Sequence, residues 1–192
     1  MGTEGWADRA DRKRAQADRR REGQAVLSIE IIIKPLSEDE VRQAYELETR
    51  CYPADQAASL EAFRYRQSAF PDYFLSAWQG EGLIGLVCGV RTDAADCTDI
   101  GIKQRHGGRI DGSKLCILSV AVHPEYRAKG LGRRLLQNIV SAAKGNGLSA
   151  VMLMSQRELV PWYESGGFEA TGIVHSEHGG VDWHDMVKRL NG

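Results

Sequence analysis

A basic hexapeptide, Arg127-Ala128-Lys129-Gly130-Leu131-Gly132, lies between an apolar stretch, Cys116 to Val122, and an amphipathic segment that begins near Leu131. A strand, a glycine-containing basic turn and a helix N-terminus, in that order, make an anion site. The first N–H groups of a helix have no intrahelical acceptor, and the macrodipole favours negative charge beside them. Glycine lets backbone approach a phosphate without an intervening Cβ. The expected ligand group is a pyrophosphate, although a packing turn would use the same residues. A nucleotide-hydrolase loop ends in Gly-Lys-Ser/Thr, and here Gly132 is followed by Arg133 and Arg134. A dinucleotide fingerprint needs a glycine where this chain has Leu135.

The elements that must position this loop can be read from pattern. Ser28 to Ile33 is β-branched and strand-like, ended by Lys34-Pro35. Ser37-Glu38-Asp39-Glu40 reads as a capping box opening a helix to about Arg50. Ser59 to Ser68 is a second helix, stopped by Phe70-Pro71-Asp72. Tyr73 to Trp78 and Leu83 to Arg91 form a hairpin about Gly80-Glu81-Gly82. Residues 92–114 form a polar connection. Cys116 to Val122 is the most apolar strand and is expected at the sheet centre. Leu131, Leu135, Leu136, Ile139, Val140 and Ala143 line one face of the next helix. Leu148 to Met154 is a strand, Val160 to Ser165 a short helix, and Phe168 to Val174 and Asp182 to Leu190 the last strands. The order β-α-α-β-β-β-α-β-α-β-β implies an α/β fold, a mixed sheet with helices on both faces.

The chain has 192 residues, which suits one domain, and a formal net charge of −1, which gives no field for nucleic acid or an anionic membrane. No apolar run approaches the roughly 18 residues of a membrane span, and the N-terminus has no apolar signal region. Residues 1–26 carry interspersed charge without a hydrophobic stripe and read as a disordered extension, leaving 28–191 as the domain. Cys51, Cys88, Cys97 and Cys116 form no CxxC pair and read as free thiols of a reducing, cytoplasmic compartment. The five histidines do not fall at zinc spacing with them, so no metal is expected.

Two motifs, Leu118 to Arg127 running into Gly130-Leu131-Gly132, and Leu159-Val160-Pro161-Trp162-Tyr163-Glu164-Ser165-Gly166-Gly167-Phe168, resemble the GNAT superfamily of N-acetyltransferases across about residues 28–190. Within it, Tyr52-Pro53-Ala54-Asp55, Tyr65-Arg66-Gln67, Val174-His175 and Trp183-His184-Asp185-Met186 are similar to the non-vertebrate branch of the arylalkylamine (serotonin-type) and fungal polyamine enzymes.

The resemblance implies the acyl-CoA N-acyltransferase fold, acetyl-CoA as cosubstrate and a small-molecule primary amine as acceptor. It implies that Val120, Ala121 and Val122 hold the pantetheine arm like an added strand. Arg127, Ala128, Lys129, Gly130, Leu131, Gly132 and Arg133 would hold the pyrophosphate. A backbone N–H near Val120 would polarise the thioester carbonyl. Tyr163 matches the general acid. A phenol with an ordinary pKa of about 10 stays protonated at neutral pH and can donate to the departing sulfur. For the acceptor site it points to Glu48, Tyr52, Pro53, Asp55, Leu118, His175 and Trp183, with Tyr65, Phe70 and Tyr73 as further aromatic walls. Monomer or weak homodimer is the expected state.

The chain departs from its resemblance at the base. Vertebrate arylalkylamine enzymes carry two histidines on the central strand, where this chain has Cys116 and Leu118. Water could carry the proton, or His175, His184 or Glu48 could replace the base. A protein or lysine N-acetyltransferase and a non-catalytic acetyl-CoA-binding module remain the alternatives.

Overall fold

The computed structural model describes residues 30–97, 108–176 and 181–190. The expected extension 1–26, with residues 27–29, His106, His178 and residue 191, lies outside them. Each expected strand and helix forms, in the expected order. The strands are β1 (Ile31–Pro35), β2 (Phe74–Gln79), β3 (Gly82–Thr92), β4 (Lys114–Val122), β5 (Ala150–Gln156), β6 (Glu169–His175) and β7 (Trp183–Arg189). The helices are α1 (Val41–Cys51), α2 (Leu60–Ala69), α3 (Leu131–Gly145) and α4 (Val160–Glu164).

The seven strands form one mixed sheet in the order β1-β2-β3-β4-β5-β7-β6. β4, expected at the sheet centre, is the middle strand. Its pairing with β5 is parallel and every other pairing is antiparallel. Lys34-Pro35 does not end β1 as expected. Pro35 still pairs with Leu75, because an edge strand tolerates proline, which has no N–H to donate, at its last residue.

Helices cover both faces. Leu86 and Cys88 of β3 pack with Val41, Ala44, Leu47 and Phe63 of α1 and α2. Gly85, one residue out of phase, faces Leu131 and Leu135 of α3. This alternation is the period of two that a strand imposes. Local chemistry starts the helices: the Glu40 carboxylate accepts the Ser37 N–H at 3.0 Å, and Ser59 Oγ accepts the Ala62 N–H at 3.1 Å.

Two irregularities in β4 set up the site. Cys88 pairs with Ser119 and Gly89 with Ile117, so Leu118 is an extra residue, a β-bulge. Gly89 permits it: a Cβ there would lie 2.7 Å from the Cys116 carbonyl oxygen. Second, β4 and β5 pair only from Lys114↔Ala150 to Ile117↔Leu153. Beyond those four residue pairs the strands part, with Ser119–Val122 held by β3 and Met154–Gln156 by β7.

Candidate active site

The parting of β4 and β5 opens a slot lined on one side by strand backbone. The His123 N–H donates to Ile84 O, so alternation turns the N–H and C=O groups of Val120 and Val122 away from β3 and into the slot. Side chains meet the two carbonyls. Tyr52 Oη donates to Val120 O at 2.8 Å, and Arg127 Nε and Cys51 Sγ donate to Val122 O at 3.1 and 3.4 Å. The amides keep room for a ligand: Val122 N–H has no partner among the described residues, and Val120 N–H has only Tyr52 Oη at 3.4 Å.

At one end the slot runs into the turn before α3. Gly130 caps that helix with φ +81°, a left-handed conformation that favours glycine, and no side chain occupies the cap. The N–H groups of Leu131, Gly132 and Arg133 therefore lack intrahelical acceptors, and the first turn carries no acidic residue. Gly132 is not required by packing, since a Cβ there would make only ordinary contacts with Val122 and Trp162 at 3.6 and 3.7 Å. Gly132 lines the cavity at this end of the slot. A cavity of about 690 Å³ spans this end, lined among others by Val120, Ala121, Val122, Arg127, Ala128, Gly130, Leu131, Gly132 and Arg133. Arg133 is braced on Ser165, with Nη2 2.6 Å from Ser165 Oγ, and its guanidinium lies over Trp162.

At the other end a second cavity of about 260 Å³ reaches between β4 and the helices α1 and α2. Its floor is polar and buried. Glu48 is 2 % exposed, Ser119 3 % and Arg66 5 %. Ser119 Oγ donates to Glu48 Oε2 at 2.5 Å. Burial pushes the Glu48 carboxyl above the ordinary range; the Ser119 hydroxyl, a backbone N–H at Ala58 and the Arg66 charge offset this only in part.

The two cavities meet. Tyr52, Val120, Met154, Tyr163 and Trp183 line both. Tyr163 projects from α4 between Trp162 and Phe168, ring edges against ring faces at 4.7 and 5.9 Å between centroids. Burial raises its hydroxyl to about 12, so it is a neutral phenol at physiological pH. Burial raises Tyr52 as well.

The sequence model of the acetyltransferase (GNAT) family matches residues 41–168, which include both cavities' strand, turn and α4. The chain belongs to the acetyltransferase (GNAT) family. Curated GNAT-region relatives match it locally. A glucosamine 6-phosphate N-acetyltransferase of Trypanosoma brucei brucei is 37% identical over 68 residues, 35% of this chain and 44% of that protein. The amino-acid acetyltransferase of Escherichia coli K12 is 39% identical over 54 residues, 28% of this chain and 12% of that protein. The matches thus span less than half of these relatives' length.

Solved GNAT structures share the fold. The loading GNATL domain of CurA from Lyngbya majuscula superposes with TM-score 0.71 at 14% identity, covering 84% of this chain and 98% of that one. YncA of Salmonella typhimurium, solved with its cofactor acetyl-CoA, gives 0.62 at 18% identity, covering 85% and 95%.

Within this GNAT domain most expected positions converge, and some do not. Glu48, Tyr52, Asp55, Leu118 and Trp183 line the smaller cavity, and Pro53 the larger. His175 lines neither; on β6 it stands opposite Trp183, with Nε2 buried and without a hydrogen-bond partner among the described residues. His184 also lines neither, which leaves Glu48 as the only one of the three candidate bases at a cavity wall. Lys129 turns away from the anion turn: its Nζ donates to Glu125 O at 2.8 Å and lies over the Tyr126 ring.

Phe70 and Tyr73 are core residues, and Tyr65 packs edge-on against Phe70, so none is an acceptor wall. The cysteines are free thiols, with Cys97 and Cys116 Sγ atoms 3.7 Å apart and Cys116 at the smaller cavity. Sequence reasoning does not single out Ser119, Arg66, Met154 and Trp162 as site residues. Ser119 has a readable signal, a polar residue inside the apolar run of β4. Among the described residues no cluster suited to a metal ion occurs, and no helix is long and apolar enough to cross a membrane.

Proposed function

We propose that this chain is an acetyl-CoA-dependent N-acetyltransferase that acylates a small primary amine by direct attack. The observation that carries the reading is the junction of the two cavities: a neutral phenol, Tyr163, and a slot-facing amide, Val120, stand where a strand-like thioester arm would meet an amine. Acetyl-CoA fits the residues present. Its pyrophosphate would take the unbonded N–H groups of Leu131 to Arg133 with Arg127 and Arg133 beside them, and its pantetheine the amide of Val122.

The amine nitrogen attacks the thioester carbon, whose carbonyl oxygen is polarised by the Val120 N–H once Tyr52 Oη yields that position or donates in its place. The C–N bond forms, the C–S bond breaks, and the leaving thiolate takes the Tyr163 hydroxyl proton. The amine proton passes to the Glu48 carboxylate, directly or through water. A carboxylate raised by burial is a better base at neutral pH than an exposed one.

As acceptor, the resemblance favours an arylalkylamine or a polyamine. The aromatic walls Tyr52 and Trp183, with Glu48 and Asp55 to attract an ammonium, support an amine on a flat body. The test is thiol release from acetyl-CoA over serotonin, tyramine, phenethylamine, spermidine, putrescine and a lysine peptide, with acetyl-CoA binding followed by calorimetry. Release with a free amine is the expected result. Binding without release from any acceptor would leave a cofactor-binding module, and absence of binding at millimolar acetyl-CoA would end the acyl-transfer reading.

A further inference from the structure

Arg66 has no assigned task, and its surroundings do not satisfy it. It projects from α2, is 5 % exposed and forms part of the wall of the smaller cavity. A guanidinium has five N–H donors. Among the described residues its contacts are the Cys88 Sγ, 3.8 Å from Nη1, and the face of Phe63, 5.8 Å from its central carbon. Cys88 gives no counter-charge, because burial pushes its thiol up to about 11. No Arg66 nitrogen is both buried and unpartnered, so its remaining donors open onto the cavity, where a carboxylate can reach them in the two-pronged contact that a guanidinium favours.

Two carboxylates line the same cavity. Asp55 is exposed at the mouth. Glu48 is close enough for Arg66 to lower its pKa, yet the two make no direct ion pair, and Glu48 Oε2 is held by Ser119. The cavity thus holds a buried cation and a buried anion that sense each other across a gap, both facing a space of about 260 Å³.

We infer that the acceptor is an amine that carries a carboxylate on its α-carbon, an amino acid rather than a simple amine. Its carboxylate pairs with Arg66 in a bidentate contact while its nitrogen lies toward Glu48 and the thioester. A simple arylalkylamine leaves Arg66 unmet, and a polyamine brings a second ammonium toward it. The inference rests on the acyl-transfer reading of the same site.

Matched acceptors that differ only by the carboxylate test it: phenylalanine against phenethylamine, tyrosine against tyramine, ornithine against putrescine. The amino acid of each pair is expected to show the higher kcat/KM, by about tenfold or more, since hydrogen bonds to a charged group contribute at least that much. Arg66→Gln should erase the preference while leaving acetyl-CoA affinity as it was. Faster transfer to the simple amines, or a preference that survives Arg66→Gln, overturns it. Calorimetry of phenylalanine and phenethylamine into the wild-type protein saturated with CoA reads the same preference without turnover or a variant. Equal or tighter phenethylamine binding there overturns it too. Transfer to no acceptor at all would sink the proposed activity, while the calorimetric pair still decides the carboxylate.

Discussion

The two ends of the slot are built from different materials. The anion end is backbone: amides of β4, a left-handed glycine, the first turn of α3, and two arginines, Arg127 exposed and Arg133 half-buried, braced on neighbouring carbonyls. The acceptor end is side chain: Glu48, Arg66 and Ser119, each under a tenth exposed and brought from three elements to one cavity. Backbone amides cannot be titrated and depend little on the residue that carries them. Buried charges can be changed one atom at a time and depend on every neighbour. One end is thus suited to a constant ligand and the other to a varied one.

The sharpest way to break this contrast is Glu48→Gln. It should lower kcat by roughly 10²–10⁴-fold, the usual contribution of a positioned base, and leave calorimetric acetyl-CoA affinity unchanged. An equal loss of cofactor affinity would mean that the two ends are not separate. Tyr163→Phe follows. Losing the proton donor at the junction should cost kcat about 10²-fold with the same affinity unmoved.

Gly132→Asp probes the other end. A carboxylate at the start of α3 opposes the phosphate charge, and the KM for acetyl-CoA should rise about tenfold. The preference among acceptors at saturating cofactor should not change.

The smallest effect concerns stability. Burial raises Glu48 in the folded protein above its unfolded value, so the native state binds the extra proton between the two. The contribution of Glu48 to stability is then fully present below about pH 4.5 and is lost as pH rises through the raised folded value. Glu48→Gln should therefore melt higher than wild type near pH 7, with the gap closing toward pH 4. A gap that widens toward acid would show that Ser119 and Arg66 outweigh burial.

The same division explains which features the amino-acid sequence reveals on its own. The anion end is legible because its signals are local: glycines, a strand and a helix start within a few residues of Arg127. The exception is Lys129, whose charge suggests a ligand role, whereas its own turn offers the Glu125 carbonyl. The order of strands, and β4 at the centre, follow from apolar periodicity.

The acceptor end is only partly legible. Glu48 and Ser119 are 71 residues apart in sequence, and neither the bulge at Leu118 nor the packing of α2 over Cys88 leaves a pattern that pairs them. Tyr65, Phe70 and Tyr73 have the composition of a binding wall, yet they pack into the core, because burial of aromatic area needs no ligand. His175, expected at the acceptor site, is set opposite Trp183 by β6–β7 pairing and lines neither cavity.

The seam between β4 and β5 has a mechanical meaning. Four residue pairs join a leaf made of β1 to β4 to a leaf made of β5 to β7, and nothing in the ladder continues past Ile117 and Leu153. Such a seam works as the spine of a book. A ligand wedged between the pages would bear first on Tyr163 and Trp183, which line both cavities, while α3, packed across both leaves, resists the opening.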